Sequence, residues 1–287
     1  MEKISRFRLR SSAFDRPEER TQRNPKKVIV LSVDGDNTEK DYFSHLNTTL
    51  DSAIIQIEIL RHKQGDGYSD PKYVVELLQE YINVRNGEII PDDSLNQMIA
   101  KYSVETIKAY FNNPESISKE LKNKIKNSML ETGIDIEYRR HLQSFKDDGD
   151  MFCVILDRDP DSHSRESLEE CLKKCEEKEY GFYLSNPCFE FWLLLHLCDV
   201  KKEFNQNELD GFKTNAKVST QHTKVSKEVS NRAHHGKSIS RKKFMSIYAP
   251  NIHFAIEQAK AFSSAFPELF DEIGSNIPEL LNTIGVL

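Results

Sequence analysis

Asp157 and Asp159 stand two residues apart at the end of the apolar run Phe152-Cys153-Val154-Ile155-Leu156. Side chains at that spacing point the same way along an extended backbone. Two carboxylates so placed offer hard oxygen ligands to a divalent cation such as Mg2+. The competing reading is a polar turn, Asp157-Arg158-Asp159-Pro160-Asp161, that merely closes a strand. A second acidic group follows another apolar run, where Val28–Val33 leads into Asp34-Gly35-Asp36-Asn37-Thr38-Glu39. Gly35 permits a tight turn close to a ligand. A phosphate-binding loop would set glycine amides there, whereas Asp34, Asp36 and Glu39 repel phosphate unless a cation intervenes. Metal-first binding is the physically sensible reading. Glu190 is the one acid inside the run Cys188–Leu197. Burying it unpaired is costly, so it lies at an exposed end or meets a metal or an arginine; its structural alternative is a helix N-terminal acid favoured by the dipole. His163 reads as a surface residue, with a place facing the carboxylates as the alternative.

These groups need elements to hold them. Short branched apolar runs closed by turn residues describe buried parallel strands, and open α/β sheets place their chemistry at the C-terminal edges of such strands. Val28–Val33, Ala53–Leu60, Phe152–Leu156 and Tyr180–Ser185 fit that description, the second alternating enough to sit nearer an edge. Asn37 or Thr38 can cap a helix that carries Phe43, Leu46 and Leu50. Asp70-Pro71 opens another, with Val74, Val75, Leu77, Leu78 and Tyr81, because proline suits the first helical turn. Ser162 or Ser164 can cap a third that runs to about Glu179, and Asn186-Pro187 precedes an apolar fourth. Strands alternating with helices spell an α/β protein with a parallel sheet of about four strands flanked by helices.

The chain has 287 residues, 30% of them charged, a net charge of −6, and no apolar run long enough to span a bilayer. Its beginning shows no secretory apolar segment, and its five cysteines form no CxxC pair, so reduced core thiols and a cytoplasmic protein without a membrane partner are expected. The charge is uneven. Residues 1–26 form a basic arm, and between Lys213 and Lys243 Glu228 is the only acid. That second stretch reads as a mobile loop suited to tracking a phosphate backbone, with Lys237, Arg241, Lys242 and Lys243 as candidate nucleic-acid contacts; a solvated loop is the bland alternative. His234-His235-Gly236-Lys237-Ser238 is no ATP-binding loop, because the first glycine of that motif would fall at Asn231. Helical spacing around Leu95–Phe111 and Ser116–Leu130, broken by Pro91 and Pro114, marks a helical insertion. The expected organisation is an arm at 1–26, a core at 27–85 and 150–200, the insertion at 86–149, and a basic loop with C-terminal helices at 201–287.

Asp34-Gly35-Asp36-Asn37-Thr38-Glu39-Lys40-Asp41-Tyr42-Phe43, then Asp157-Arg158-Asp159, then Ser185-Asn186-Pro187-Cys188-Phe189-Glu190-Phe191-Trp192 occur in an order that resembles the RloB-like (AbiLii-type) proteins of the Toprim superfamily. The resemblance reaches the basic lead-in and a Lys243–Phe262 helix, and leaves out residues 86–149. It implies a Toprim-like fold whose acids bind Mg2+, or Mn2+ in its stead, and act on phosphodiester bonds. On that basis Asp34, Glu39, Asp157 and Asp159 would be catalytic and metal-binding residues, with Glu190 a further ligand or a partner of one. It also implies a role in bacterial antiphage or abortive-infection systems, beside an ATPase partner protein, with a homo-oligomer compatible. One departure stands out: the family glutamate before the glycine is Asp34 here. Aspartate is shorter by one carbon–carbon bond, about 1.5 Å, and a base misplaced by that much can lose on the order of 100-fold in rate. A metal-dependent nuclease for DNA or RNA is therefore the leading expectation, and a catalytically weakened nucleic-acid-binding or partner-regulated subunit the alternative. A small-molecule phosphoryl-transfer enzyme is disfavoured by the basic segments.

Overall fold

The computed structural model describes residues 27–35, 37–51, 55–60, 70–86, 93–131, 149–234, 236 and 238–286. Four parallel strands form the centre: β1 (Lys27–Val33), β2 (Ile55–Leu60), β3 (Met151–Asp157) and β4 (Gly181–Asn186). A two-residue strand, β5 (Gly274–Ser275), pairs antiparallel with β4, so the sheet has five strands in the order β2-β1-β3-β4-β5. The expectation of about four strands missed β5, whose two residues leave no periodic pattern to read. β2 lies at the edge, as its partial alternation requires.

Helices cover both faces. On one lie α1 (Thr38–Asn47) and α7 (Phe189–Leu195), on the other α2 (Pro71–Arg85) and α6 (Arg165–Glu177). β1 alternates between the two layers: Ile29, Leu31 and Val33 join the core under α1 and α7, while Val28 and Val30 join the core under α2 and α6. A strand covered on both faces has no solvent side, which is why it reads as a nearly continuous apolar run; the buried Ser32 hydroxyl donates to the Val74 carbonyl. Asp70 Oδ1 accepts from the Lys72 amide at the start of α2, and Ser164 Oγ from the Ser167 amide at the start of α6. Asn37 stands at the N-cap of α1 with no side-chain cap bond.

Between α2 and β3 the helical expectation meets α3 (Asp93–Tyr102), α4 (Val104–Asn112) and α5 (Lys119–Glu131), with a short turn at Pro114–Ser116. Met98, Ile107, Tyr110 and Ile125 form a small core of their own there. Pro91 lies outside the described residues.

The stretch from Lys213 to Lys243 is not the loop expected of it. It begins at the end of α8 (Gln206–Thr214) and carries α9 (Lys224–Ala233), whose Val225, Val229 and Ala233 are buried in the α1–α7 core. Those three fall at helical spacing among basic residues, so few apolar groups suffice to seat the helix. The Lys243–Phe262 helix is likewise modified: a one-turn helix at Arg241–Lys243 passes into wider turns over Phe244–Tyr248 and tighter ones at Ala249–Asn251 before α10 (Ile252–Ala259). Pro250 lacks the amide a regular ladder needs there. α11 (Ile277–Ile284) closes the chain against the same core. Among the described residues no helix is long and apolar enough to cross a membrane, and all five cysteines are unpaired and buried.

Candidate active site

The strand order decides where a site can form. From β1 the chain moves to one side to build β2, then returns across β1 to build β3, so the ends of β1 and β3 flank the point where the winding reverses. In open α/β sheets that crevice is where ligands bind. Asp34 follows β1, and its amide donates to the Ile155 carbonyl of β3 (3.2 Å). Asp157 ends β3 opposite Ser185 of β4. The two acids, distant in sequence, meet because parallel register aligns their strand ends.

Asp157 is the centre of the group. Its Oδ1 accepts the Phe189 amide at the start of α7 (2.8 Å). Burial pushes its pKa well above the usual carboxylate range, and the charges of Glu39, Glu190 and Asp34 add to that, outweighing the Phe189 amide. Glu39 sits in the first turn of α1, only 5% exposed. Its carboxylate lies over the bare Cα of Gly35, where a β-carbon would collide with Oε2; the glycine is required for that approach. Glu190, in the first turn of α7, is half-buried. Its charge and that of Asp157 raise the buried Cys188 thiol, after burial itself, and Glu190 also raises the Tyr248 phenol in addition to burial.

Asp159 is placed differently. Its φ of 27° is a left-handed value that aspartate tolerates better than most residues. Its amide donates to the Pro187 carbonyl (2.9 Å), and its own carbonyl accepts the Ser162 and His163 amides. It shapes the turn through its backbone, so the extended geometry that would align it with Asp157 ends one residue too soon. Arg158 points away from the acids, with Nε on the Phe270 carbonyl and a guanidinium NH2 group on the His163 carbonyl, both at 2.7 Å.

That turn buries a residue expected at the surface from the sequence. His163 is 5% exposed; its Nδ1 bonds the Asp157 main-chain carbonyl (2.9 Å) and its Nε2 lies 3.8 Å from Asp34 Oδ2. The available signal was Asp159-Pro160-Asp161-Ser162, a cluster of turn residues that reverses the chain just before the histidine.

The block Ser185–Trp192 is mostly scaffold. Ser185 Oγ bonds Ser275 Oγ, Asn186 Nδ2 donates to the Leu269 carbonyl, and Asn215 Nδ2 reaches Cys188 Sγ. Tyr42 packs edge-on against Phe43, Phe189, His196 and Phe244 beneath the site. Its hydroxyl donates to His196 Nε2 (3.2 Å), while His196 Nδ1 donates to the Trp192 carbonyl (3.0 Å). Burial holds His196 down to about 3, so it stays neutral.

The basic candidates divide. Arg241 and Lys242 are exposed, whereas Lys243 is half-buried with Nζ on the Ala233 carbonyl (3.1 Å). Lys237 and the acid Asp36 lie outside the described residues. The segment is fastened to α1: Asp41 Oδ2 accepts from Ser238 Oγ and the Ile239 amide, and His45 Nε2 donates to the Ile239 carbonyl. The helix that carries Glu39 therefore also anchors the basic stretch.

The donor set fits a hard divalent cation by its chemistry, since a buried carboxyl under three like charges is stabilised by a cation. Among the described residues no three His, Cys, Asp or Glu side chains already stand at coordinating distance around one point, and the Glu39 carboxylate folds back over Gly35. Asp34, Glu39, Asp157 and Glu190 are thus gathered, but not closed into a cage.

A family model described as "RloB-like protein" matches residues 29–284. No curated protein and no solved structure matches the chain.

Proposed function

The chain belongs to the RloB-like protein family, and from that premise we propose that it is a metal-dependent nuclease of Toprim type that hydrolyses phosphodiester bonds of DNA or RNA as an effector of antiphage defence. One observation carries the reading: Asp157 is buried at the end of β3 with Glu39, Glu190 and Asp34 acting on its carboxyl. Four acids at one crevice destabilise the metal-free protein unless a cation belongs there. Asp157, Asp34 and Glu190 would hold Mg2+ or Mn2+, with Glu39 completing the set. Such an ion supplies Lewis-acid polarisation of a phosphate and a more acidic water. Glu39, buried and held over Gly35, is the best-placed proton acceptor in the chain itself. Arg241 and Lys242 offer exposed positive charge to a phosphate backbone, which needs no base recognition.

Asp34 favours a second reading. Its carboxylate, shorter than the glutamate it replaces, stands toward His163. A site so altered suits a nucleic-acid-binding subunit whose turnover is weak or supplied through an ATPase partner.

The test is cleavage of a labelled panel of DNA, total RNA and tRNA with Mg2+ or Mn2+. Wild type is run beside the double variant Asp157→Ala, Asp159→Ala and beside Asp34→Glu. The proposal expects cleavage by wild type, a loss of at least about 1000-fold in the double variant, and equal or faster cleavage by Asp34→Glu. Inertness of all three proteins, with binding to polynucleotide retained, would establish the second reading instead.

A further inference from the structure

We propose that Asn215 is a positioning residue: its side-chain amide ties the start of α9, in the basic stretch, to the start of α7, so that a polynucleotide held on the basic stretch steadies the acidic centre. The inference rests on the nuclease reading above and deepens it, by naming how the basic stretch acts on the acids. Asn215 follows α8 and is 8% exposed. Its backbone is left-handed (φ 47°, ψ 36°), a conformation that asparagine tolerates, and its main-chain amide donates to the Gly211 carbonyl (3.2 Å). The side chain lies between two helices. The Val225 main-chain amide, in the first turn of α9, donates to Asn215 Oδ1 (3.1 Å). That donor needs an oxygen, so Nδ2 faces the other way, where it donates to Cys188 Sγ (3.4 Å).

Cys188 is the residue at which α7 begins. Its thiol is hydrogen-bonded to the Glu190 side chain, and the next main-chain amide, that of Phe189, is the one Asp157 Oδ1 accepts. Two of the gathered acids are thus reached from Asn215 through one residue. On the other side, the Lys224 amide donates to the Ala216 carbonyl (3.1 Å), so the first two amides of α9 both end on the Asn215-Ala216 step. α9 presents Lys227 to solvent and seats Val225 and Val229 in the core shared with α7. A cap for α9 needs only an oxygen, which aspartate or serine would supply. The nitrogen half of the Asn215 amide has its partner on α7 instead. Asn215→Asp separates the two roles, because it keeps the oxygen and removes the donor.

The test is the rate at which a small methanethiosulfonate reagent labels each of the five buried cysteines of the full chain, read by peptide mass spectrometry without divalent metal. Cys188 reports the joint, and the other four report general loosening. In Asn215→Asp, Cys188 should label about 5-fold faster or more, the change expected for one lost hydrogen bond. Cys153, Cys171, Cys175 and Cys198 should keep their rates. Poly(dT) at low salt should slow Cys188 in wild type and leave it unchanged in Asn215→Asp. In cleavage, kcat should fall at least about 10-fold in Asn215→Asp with KM little changed. Cys188→Ala breaks the same joint without adding a charge, so it should match that loss, and the double variant should be no worse than the worse single. Cys188→Ser keeps an acceptor and should stay near wild type. An unchanged Cys188 rate in Asn215→Asp, an equal rise at all five thiols, or no effect of poly(dT) on wild type would overturn the tie and leave the nuclease reading standing. Wild type that cleaves nothing while the labelling pattern holds would remove the nuclease reading and leave the tie.

Discussion

The acidic strand ends and the basic stretch from Lys213 to Lys243 are both crowded with charge, and they hold it in opposite ways. At the strand ends the charge is inside: Glu39 is buried, and Asp157 is pushed toward its protonated form by burial and three like neighbours. In the basic stretch the charge is outside. Lys227, Arg241 and Lys242 face solvent while Val225, Val229 and Ile239 enter the main core. Like charges gathered in the interior of a fold mark a candidate site for chemistry. Charge on the outer face of an amphipathic helix is ordinary solvation, available to a polyanion but not shaped for one. The two regions are also joined, through Asp41 and His45 of α1.

Three variants can break this contrast. The largest effect on stability is expected in the basic stretch. Val225 is fully buried, so Val225→Ala should cost roughly 2 kcal/mol in equilibrium denaturation. If the stretch were a solvated loop the change would go unnoticed.

The acidic centre should respond with the opposite sign. Asp157 has a raised folded-state pKa, so the native protein binds its proton more tightly than the unfolded chain does. Stability from this group is then lost as pH rises from the ordinary carboxylate range, near pH 4, toward the raised value. Asp157→Asn keeps an oxygen for the Phe189 amide and removes the charge. The metal-free variant should be more resistant to denaturant than metal-free wild type at pH 7, with the gap closing toward pH 4. A variant less stable than wild type at pH 7, or a gap that ignores pH, would show that burial and the neighbouring acids do not burden the Asp157 carboxyl.

The smallest effect belongs to the exposed cations. Arg241→Ala with Lys242→Ala should leave thermal stability within about 0.5 kcal/mol. If the stretch tracks nucleic acid, the slope of log affinity against log salt should fall by about 0.7 to 0.9 per lost contact. An unchanged slope would confine these residues to solvation.

How much was legible varied with the range of the interaction. β1, β3 and α2 are plain because each is a nearly continuous apolar run or a regular helical spacing, and Pro114 breaks the helical region as expected. Asp34, Glu39, Asp157 and Glu190 were picked out as acids in places where acids are expensive. Asp159 was read on the assumption that β3 stays extended past Asp157, and the turn at φ 27° ended that extension. His163 reads as a surface residue for the same reason: a reversal after Pro160 brings it back over the strand end. α9 was lost because three apolar residues among basic ones look like a loop until a core exists for them to enter.

By itself, the sequence determined the family, the α/β alternation and the set of acids that could do chemistry, because these follow from residue type and from spacing over a few positions. The tertiary structure alone decided which acids meet. Asp34, Asp157 and Glu190 are separated by long stretches of chain, and they converge only through the strand order β2-β1-β3-β4 and the parallel registers that set Val33 beside Ile155 and Asp157 beside Ser185. Crossover connections between parallel strands leave no local trace of which strand ends will be neighbours, so proximity at this site is a property of the folded sheet.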